Sequence, residues 1–303
     1  MSAVSPSRSA RRSRSSRGPG GSAIFDAPGP RGRITVVWVT VLSILGIVAA
    51  GWLAVRQFAI NGQLDPGKWA EFAQWPTQRY LLGAFGNTLL AAGGAAAIAL
   101  PLGLLLALGR LDSRRPLRWA ATAVIEFFRA IPLLLLIYIF FVALPQYGLN
   151  PDLFWKLVIP IGLCSAATVA EVFRAGVLAL PKGQSEAGAV IGLTDSQTFR
   201  YVIFPQAVRM VVPSLVAQVV ILLKDTTLGY VVSYSELQHS ARVLVASTGH
   251  LIQTYLVVSV FYVLINIAIS GFARWLDQRS RRRGAGRRAV RTEVPVEPVG
   301  SMA

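Results

Sequence analysis

The chain has 303 residues, of which 53% are hydrophobic, and it carries a formal net charge of +16. This composition excludes an ordinary soluble domain, because soluble domains are seldom so apolar over such a length. The charge does not indicate nucleic-acid binding, since residues 1–33 carry +6, residues 274–303 carry +5, and no basic groove with interleaved aromatic residues lies between them. The remaining class is a membrane protein with two basic tails.

The two tails are predicted to be disordered, residues 1–33 because of their Ser, Arg, Gly and Pro content and residues 276–303 by similar reasoning. The first tail is too long and too charged for a simple leader, so the apolar run after it is expected to remain as an anchor. The single cysteine, Cys164, excludes an internal disulfide and a multi-cysteine metal site. We predict no cofactor and no metal.

Six apolar segments are long enough to cross the hydrocarbon core, which takes about twenty helical residues. They are residues 34–58, 80–108, 119–144, 157–180, 208–234 and 251–275. The chain is therefore predicted to be an all-α, polytopic integral membrane bundle of about six transmembrane helices. The second segment is rich in Gly and Ala from Ala91 to Ala97, so a neighbouring helix is expected to approach it closely.

Positive charge in the connections predicts the orientation of these spans. The short loop of residues 110–118 contains four Arg, and with six spans it lies on the same side as both tails and the connection of residues 183–205. Because Arg and Lys accumulate in cytoplasmic loops, both termini are expected in the cytoplasm, with the chain passing the membrane several times.

The polar stretch from Glu186 to Pro205 interrupts the apolar spans and is predicted to form two short helices with a turn between them. Gly192 is placed to take the left-handed conformation that ends the first helix. Thr194 suits the N-cap of the second, because its hydroxyl can accept from the backbone of Gln197 while the Gln197 side chain reaches back. Pro205 lacks an N–H, so it breaks this helix or opens the next.

This stretch resembles the cytoplasmic signature loop of permease subunits from binding-protein-dependent ABC importers. Glu186, Ala187, Gly192 and Pro205 match the signature at its spacing, whereas Gly188 replaces the usual second Ala. The resemblance implies the type I importer permease fold and a loop that couples the permease to the ATPase. It further implies these partners: ATP-binding subunits, a second permease that is identical or paralogous, and an extracytoplasmic substrate-binding protein.

Further motifs are similar to those of the polar amino acid branch of these permeases. They are Glu126-Phe-Phe-Arg129-Ala-Ile-Pro132, Ala170-Glu171-Val-Phe-Arg174-Ala-Gly176, Leu180-Pro181-Lys-Gly183-Gln184 and Leu222-Leu-Lys224-Asp225-Thr226. The resemblance covers a five-helix permease core, residues 80–275, to which residues 34–58 add a helix. It implies import of glutamate, with arginine, glutamine, histidine or cystine as alternatives.

Charged residues inside the predicted spans have two interpretations. A charge at the bilayer centre costs about 2.5–3.5 kcal/mol, so each is expected to face a cavity or a partner. Glu126 and Arg129 can form an ion pair on one helix face, as can Glu171 and Arg174. The residues expected along a substrate pathway are Glu171, Arg174, Lys224, Asp225 and Thr226, and the alternative is that these charges only pack helices together. The run after Asp225 is also expected to unwind its helix.

Motifs for chemistry are missing from the sequence. It contains neither a Walker A pattern nor the His-Glu-x-x-His pattern of zinc proteases, so we expect a transport subunit and not an enzyme. An intramembrane serine protease needs a histidine within a span, whereas His239 and His250 lie in a polar connection. A channel would leave the signature loop unexplained.

Overall fold

The structure, a computed structural model, describes residues 29–289, and within this range every regular element is helical. Most of the two tails predicted to be disordered lies outside the described residues, but residues 30–33 belong to α1 and residues 276–289 continue α12 as a helix. The α-helices are α1 (Pro30–Ile60), α2 (Pro66–Ala70), α3 (Trp75–Leu111), α4 (Arg115–Ala130), α5 (Leu133–Tyr138), α6 (Leu144–Gln146), α7 (Leu153–Leu178), α8 (Gly183–Val190), α9 (Asp195–Thr198), α10 (Phe204–Asp225), α11 (Leu237–Thr248) and α12 (Leu251–Ala289). Short 3-10 segments cover Glu71–Ala73 and Thr226–Val232, and π-helical turns cover Ile139–Ala143 and Phe199–Ile203.

The chain divides into two compact units, Met1–Gln63 and Leu64–Ala303. In the first unit, α1 contains an apolar stretch of 29 residues, Gly32–Ile60, which is long enough to cross a membrane. It corresponds to the predicted extra helix of residues 34–58. The helix ends at Asn61, whose side chain donates to the carbonyl of Gln57, and Gly62 follows with a φ of 61°.

The second unit is built around α3 and α7, which run parallel and lie unusually close together. A Cβ added to Gly94 would come within 2.9 Å of Phe154, one on Gly103 within 2.5 Å of Val169, and one on Gly162 within 2.8 Å of Ile98. Small residues therefore allow the two backbones to approach, as is common between membrane helices. This confirms the close approach that the Gly and Ala content of the second span predicts.

The predicted third span, residues 119–144, is bent into two helical segments, a break that its apolar length does not reveal. Helix α4 ends at Ala130, and the segment that begins with α5 turns by 93° relative to it. Pro132 explains the break because it has no N–H to donate and disfavours helical geometry in the residue before it. Accordingly Ile131 is extended, with φ and ψ of −76° and 129°. The described residues thus contain five helices able to span a membrane, or six if the bent pair is one span.

Helix α10 ends at Asp225 and continues as the 3-10 segment Thr226–Val232, at the point where the sequence predicts unwinding.

The chain then enters α11, whose N-cap is the fully buried Glu236. Its carboxylate accepts from the backbone N–H groups of Gln238 (2.7 Å) and His239 (2.6 Å) and from the hydroxyl of Tyr262 (3.3 Å). Burial raises the pKa of Glu236 to about 7, although these three hydrogen bonds oppose the rise. The cap joins α11 to α12 at the end of the bundle away from α8.

The α3–α7 contact predicts a selective sensitivity to added volume. Gly103→Ala should lower the apparent melting temperature of the purified protein, because the new methyl group overlaps Val169 and overpacking costs about 1–3 kcal/mol. Gly93→Ala on the same helix meets nothing within 4 Å and should be neutral or stabilising, by up to about 1 kcal/mol. Equal melting temperatures for the two variants would contradict the close packing.

Candidate functional site

The connection between α7 and α10 forms a compact projection, which we call the α8–α9 loop (residues 183–203). Helix α8 is followed by Ile191 and then by Gly192, whose φ of 80° confirms the predicted left-handed end. Thr194 caps α9 with the predicted capping box: its hydroxyl accepts from the Gln197 N–H (3.4 Å), and the Gln197 side chain accepts from the Thr194 N–H (2.9 Å). Pro205 lies in the first turn of α10, directly after the π-helical turn Phe199–Ile203 that joins α9 to α10, so its missing N–H falls where the hydrogen-bond pattern changes.

A tight contact between Gly188 and Thr198 closes the loop. Both residues are buried, and a Cβ on Gly188 would lie 2.6 Å from both Cγ2 and Oγ1 of Thr198. The Gly at this position, where the signature usually has Ala, is therefore matched by the Thr side chain that fills the space. A hydrogen bond of 3.0 Å from Gln206 to Gln184 then ties the base of the loop to α10.

The tip of the loop exposes apolar side chains. Val190 is 86% exposed, Ile191 72% and Tyr201 65%, while Glu186 and Ala187 are also exposed beside them. Apolar side chains presented on a rigid, capped turn are typical of a surface that a partner covers. Of the five predicted coupling residues, Glu186 and Ala187 thus face outward, Gly188 and Gly192 shape the turn, and Pro205 lies in the first turn of the following helix.

Three helices meet through a cluster of five charged side chains near the base of the loop, which we call the arginine–glutamate cluster. Its members are Arg110, Glu126, Arg129, Glu171 and Arg174. Glu171 pairs with Arg110 and with Arg174 (Oε2 to Nε, 3.2 Å), and lies 3.8 Å from Arg129. Glu126 lies 3.4 Å from both Arg110 and Arg129. The two ion pairs expected from the sequence are present, but they belong to one network.

Arg110 is the member of this cluster that sequence reasoning missed. The sequence places it at the start of a basic loop, whereas in the structure it is the last charged residue of α3 and its side chain is only 18% exposed. It reaches Glu126 on α4 and Glu171 on α7, so it joins three helices. The sequence does show that Arg110 is a positive residue in the last turn of a Gly-rich span. It does not show which acidic side chains Arg110 contacts.

A cavity of about 350 Å³ lies among α4, α7 and α10, and we call it the central cavity. Its polar lining comes from Arg129, Ser165, Thr168, Gln218 and Asp225. Within residues 29–289, the side chains of Asp225 and Gln218 form no ion pair or hydrogen bond, so both can receive a ligand. Arg129 belongs to this lining and to the arginine–glutamate cluster, and it therefore connects the two.

The predicted pathway residues separate into three places. Glu171 and Arg174 lie in the arginine–glutamate cluster, and Asp225 lines the central cavity. Lys224 is exposed and is not part of the cavity lining, and Thr226 is fully buried with its hydroxyl donating to the carbonyl of Leu223 (2.7 Å). Ser165, Thr168 and Gln218 line the cavity without having been predicted. Among the described residues, no three His, Cys, Asp or Glu side chains are grouped as a metal site would require.

Comparison with known proteins identifies the family. Residues 99–282 match the family described as the binding-protein-dependent transport system inner membrane component. The chain belongs to this family and is a permease subunit of an ABC importer, a multi-pass membrane protein and not an enzyme. Membership implies ATP-binding partners and a substrate-binding protein.

Characterised relatives transport amino acids according to their names. The chain is 34% identical over 244 residues to the glutamate transport system permease protein GluD of Corynebacterium glutamicum, covering 78% of this chain and 88% of the relative. It is 36% identical over 195 residues to the probable glutamine ABC transporter permease protein GlnM of Bacillus subtilis, covering 64% and 90%.

Solved structures agree with the fold. The crystal structure of an amino acid ABC transporter with histidines superposes with a TM-score of 0.65 at 28% identity, covering 67% of this chain and 95% of that one. A bacterial ABC transporter involved in the import of alginate superposes with a TM-score of 0.57 at 16% identity, covering 82% and 97%, and supports the fold alone. These comparisons confirm the predicted all-α importer permease.

The Gly188–Thr198 contact predicts a defect that a second change repairs. Gly188→Ala should displace α8 from α9 and reduce co-purification of the ATP-binding subunit, because the new methyl group would lie 2.6 Å from the Thr198 side chain. Adding Thr198→Ala removes the two atoms at 2.6 Å and leaves only the Cβ at 3.1 Å, so it should restore most of the co-purification. Gly183→Ala, at the start of the same helix, meets nothing within 4 Å and serves as the control. A Gly188→Ala variant that behaves like wild type would show that this contact does not shape the docking surface.

Proposed function

We propose that this permease carries a polar amino acid through the central cavity, with glutamate as its substrate. The observation that supports this proposal is the pairing of one guanidinium, Arg129, with one carboxylate, Asp225, in the lining of a single cavity. Every amino acid in solution carries an α-carboxylate and an α-ammonium group, so a cavity with one positive and one negative group matches the part that all such substrates share.

The roles follow from the charges. The Arg129 guanidinium binds the α-carboxylate, for which its planar set of N–H donors is well suited. The Asp225 carboxylate binds the α-ammonium group. In a cavity between apolar helices these interactions are screened less than on a fully exposed surface, so both charges contribute more than surface charges would.

The uncharged residues of the cavity lining influence which amino acid side chain the cavity can bind. Ser165, Thr168 and Gln218 offer hydroxyl and amide groups that can donate to a side-chain carboxylate or bond to a side-chain amide. This lining suits glutamate and also accommodates glutamine, and the names of the relatives include both. Arginine, histidine and cystine remain alternatives, because the external binding protein also selects what reaches the permease.

The α8–α9 loop is the proposed contact with the ATP-binding subunit, and its exposed Val190 and Ile191 are suited to a groove on that subunit. Closure of two ATP-binding subunits moves the loop, and the base of the loop passes the motion to α7 and α10, which line the cavity. The two states of the bundle then expose the cavity to opposite sides in turn, a population shift driven by nucleotide and by the loaded binding protein. A second permease, identical or paralogous, completes the pathway, and both termini lie in the cytoplasm.

Uptake by living cells tests the substrate. Cells that lack this chain should lose uptake of radiolabelled glutamate, and a plasmid copy should restore it, because the pathway through the importer is incomplete without this permease. Labelled glutamine and arginine are measured in parallel to rank the alternatives. Unchanged uptake of all three labels in the deletion strain would contradict the assignment to amino acids.

Two adjacent substitutions test the cavity. Asp225→Asn keeps the size of the side chain and removes its charge, so uptake should fall by about ten- to hundredfold, which corresponds to the roughly 1.5–3 kcal/mol of a charge-assisted hydrogen bond. Lys224→Gln removes the neighbouring charge, which lies outside the cavity lining, and should leave uptake near the wild-type level. Equal losses of uptake in both variants, at equal amounts of inserted protein, would contradict the assignment of the cavity. They would favour a pathway that includes both Lys224 and Asp225, as the sequence predicts.

A further inference from the structure

A second cavity, of about 390 Å³, lies between the ends of α3, α4 and α7, and we call it the arginine cavity. Its lining includes three guanidinium groups, from Arg110 on α3, Arg118 on α4 and Arg174 on α7, together with Trp119 and Thr122. No acidic residue lines it. Three positive groups around one cavity repel one another, so the arrangement is favoured when an anion occupies the space between them.

The neighbouring acids neutralise these arginines only in part. Glu126 and Glu171 hold Arg110, and Glu171 also binds the Nε of Arg174, while both acids are shared with Arg129. The side chain of Arg118 forms no ion pair or hydrogen bond within the described part of the chain. Three arginines line the cavity, and the two neighbouring acids are shared with Arg129, so positive charge is in excess around the arginine cavity.

The surroundings of the cavity indicate which anion fits. Trp119 lines it and is 73% exposed, and α4 also exposes Leu117, Val124 and Phe127. Helix α4 is therefore amphipathic, with charged and apolar residues both at its surface, and it turns by 93° from the segment that follows. A helix with this composition lies along a membrane surface, where its apolar side chains contact acyl chains and its arginines contact headgroups.

We propose that the arginine cavity binds the phosphate of an anionic phospholipid, with Arg110, Arg118 and Arg174 as its ligands and Trp119 against the glycerol and upper acyl chains. Guanidinium groups bind phosphate through paired N–H donors, and basic pockets between membrane helices recognise anionic headgroups. The adjoining basic loop makes this the cytoplasmic leaflet; only this choice of leaflet rests on the proposed function.

The bound lipid has a structural consequence for the permease. A phosphate on Arg110 and Arg174 offsets the excess charge on the same side chains that bind Glu171 and so stabilises the junction of α3, α4 and α7. This junction lies at the base of the α8–α9 loop, since α7 leads directly into α8. Anionic lipid therefore stabilises the part of the bundle through which the loop acts.

Lipid binding to the purified, assembled importer tests the proposal. Phosphatidylglycerol, phosphatidylcholine with the same acyl chains, and inorganic phosphate are each titrated at fixed ionic strength, and retained lipid is counted by native mass spectrometry alongside the melting temperature. Wild type should prefer phosphatidylglycerol, and inorganic phosphate should not displace it. Arg118→Gln should weaken phosphatidylglycerol binding about tenfold, the size expected for one charge-assisted hydrogen bond.

Arg114→Gln is the matched control, because it removes the same charge at the N-cap of α4, one turn before Arg118, but Arg114 does not line the cavity. It should bind phosphatidylglycerol like wild type. Equal weakening in both variants would show diffuse attraction to the basic surface, and a lack of preference over phosphatidylcholine would show no anionic-lipid site. Displacement by inorganic phosphate would show a site for a soluble anion, and each of these results overturns the proposal. None of these results depends on which amino acid is imported. The proposal for glutamate can therefore be wrong while the lipid site is confirmed, or the reverse.

Discussion

The close parallel contact between α3 and α7 is the constraint on which the rest of the bundle depends. Glycines at positions 94, 103 and 162 remove the side chains that would otherwise hold the helices apart. Because dispersion and close packing, more than hydrophobic burial, hold helices together in lipid, this contact provides the rigid centre of the second unit. It also fixes the ends of both helices, so that Arg110 of α3 reaches Glu171 of α7.

Two polar sites arise from this arrangement together with the break at Pro132. The break ends α4 at Ala130 and brings Arg129 to Glu171 on one side and to the central cavity on the other. Arg129 is thus shared between the network that joins the helices and the cavity that we assign to substrate. A substrate carboxylate that draws on Arg129 would weaken its hold on Glu126 and Glu171, which gives a physical route from an occupied cavity to the base of the α8–α9 loop.

Sequence reasoning was most successful where local chemistry decides the structure. The positive φ of Gly192, the capping box of Thr194 and Gln197, and the positions of the apolar spans all follow from neighbouring residues. It did not give the bend in the third span, because length and apolarity mark a span while Pro132 decides its direction. In the site, the i,i+3 ion pairs were predictable, whereas the link through Arg110 and the separation of Lys224 from Asp225 depend on how distant helices pack. The contact between Gly188 and Thr198 also depends on how two separate helices pack, so the sequence does not predict it.

The central claim is that the substrate passes between α4, α7 and α10. A structure of the assembled importer, held in a state loaded with its amino acid, tests this claim most directly. The account predicts density for one amino acid in the central cavity, with its ammonium group within hydrogen-bonding distance of Asp225 and its carboxylate at Arg129. Density for the amino acid at a position in the bundle that contacts neither residue would contradict the account.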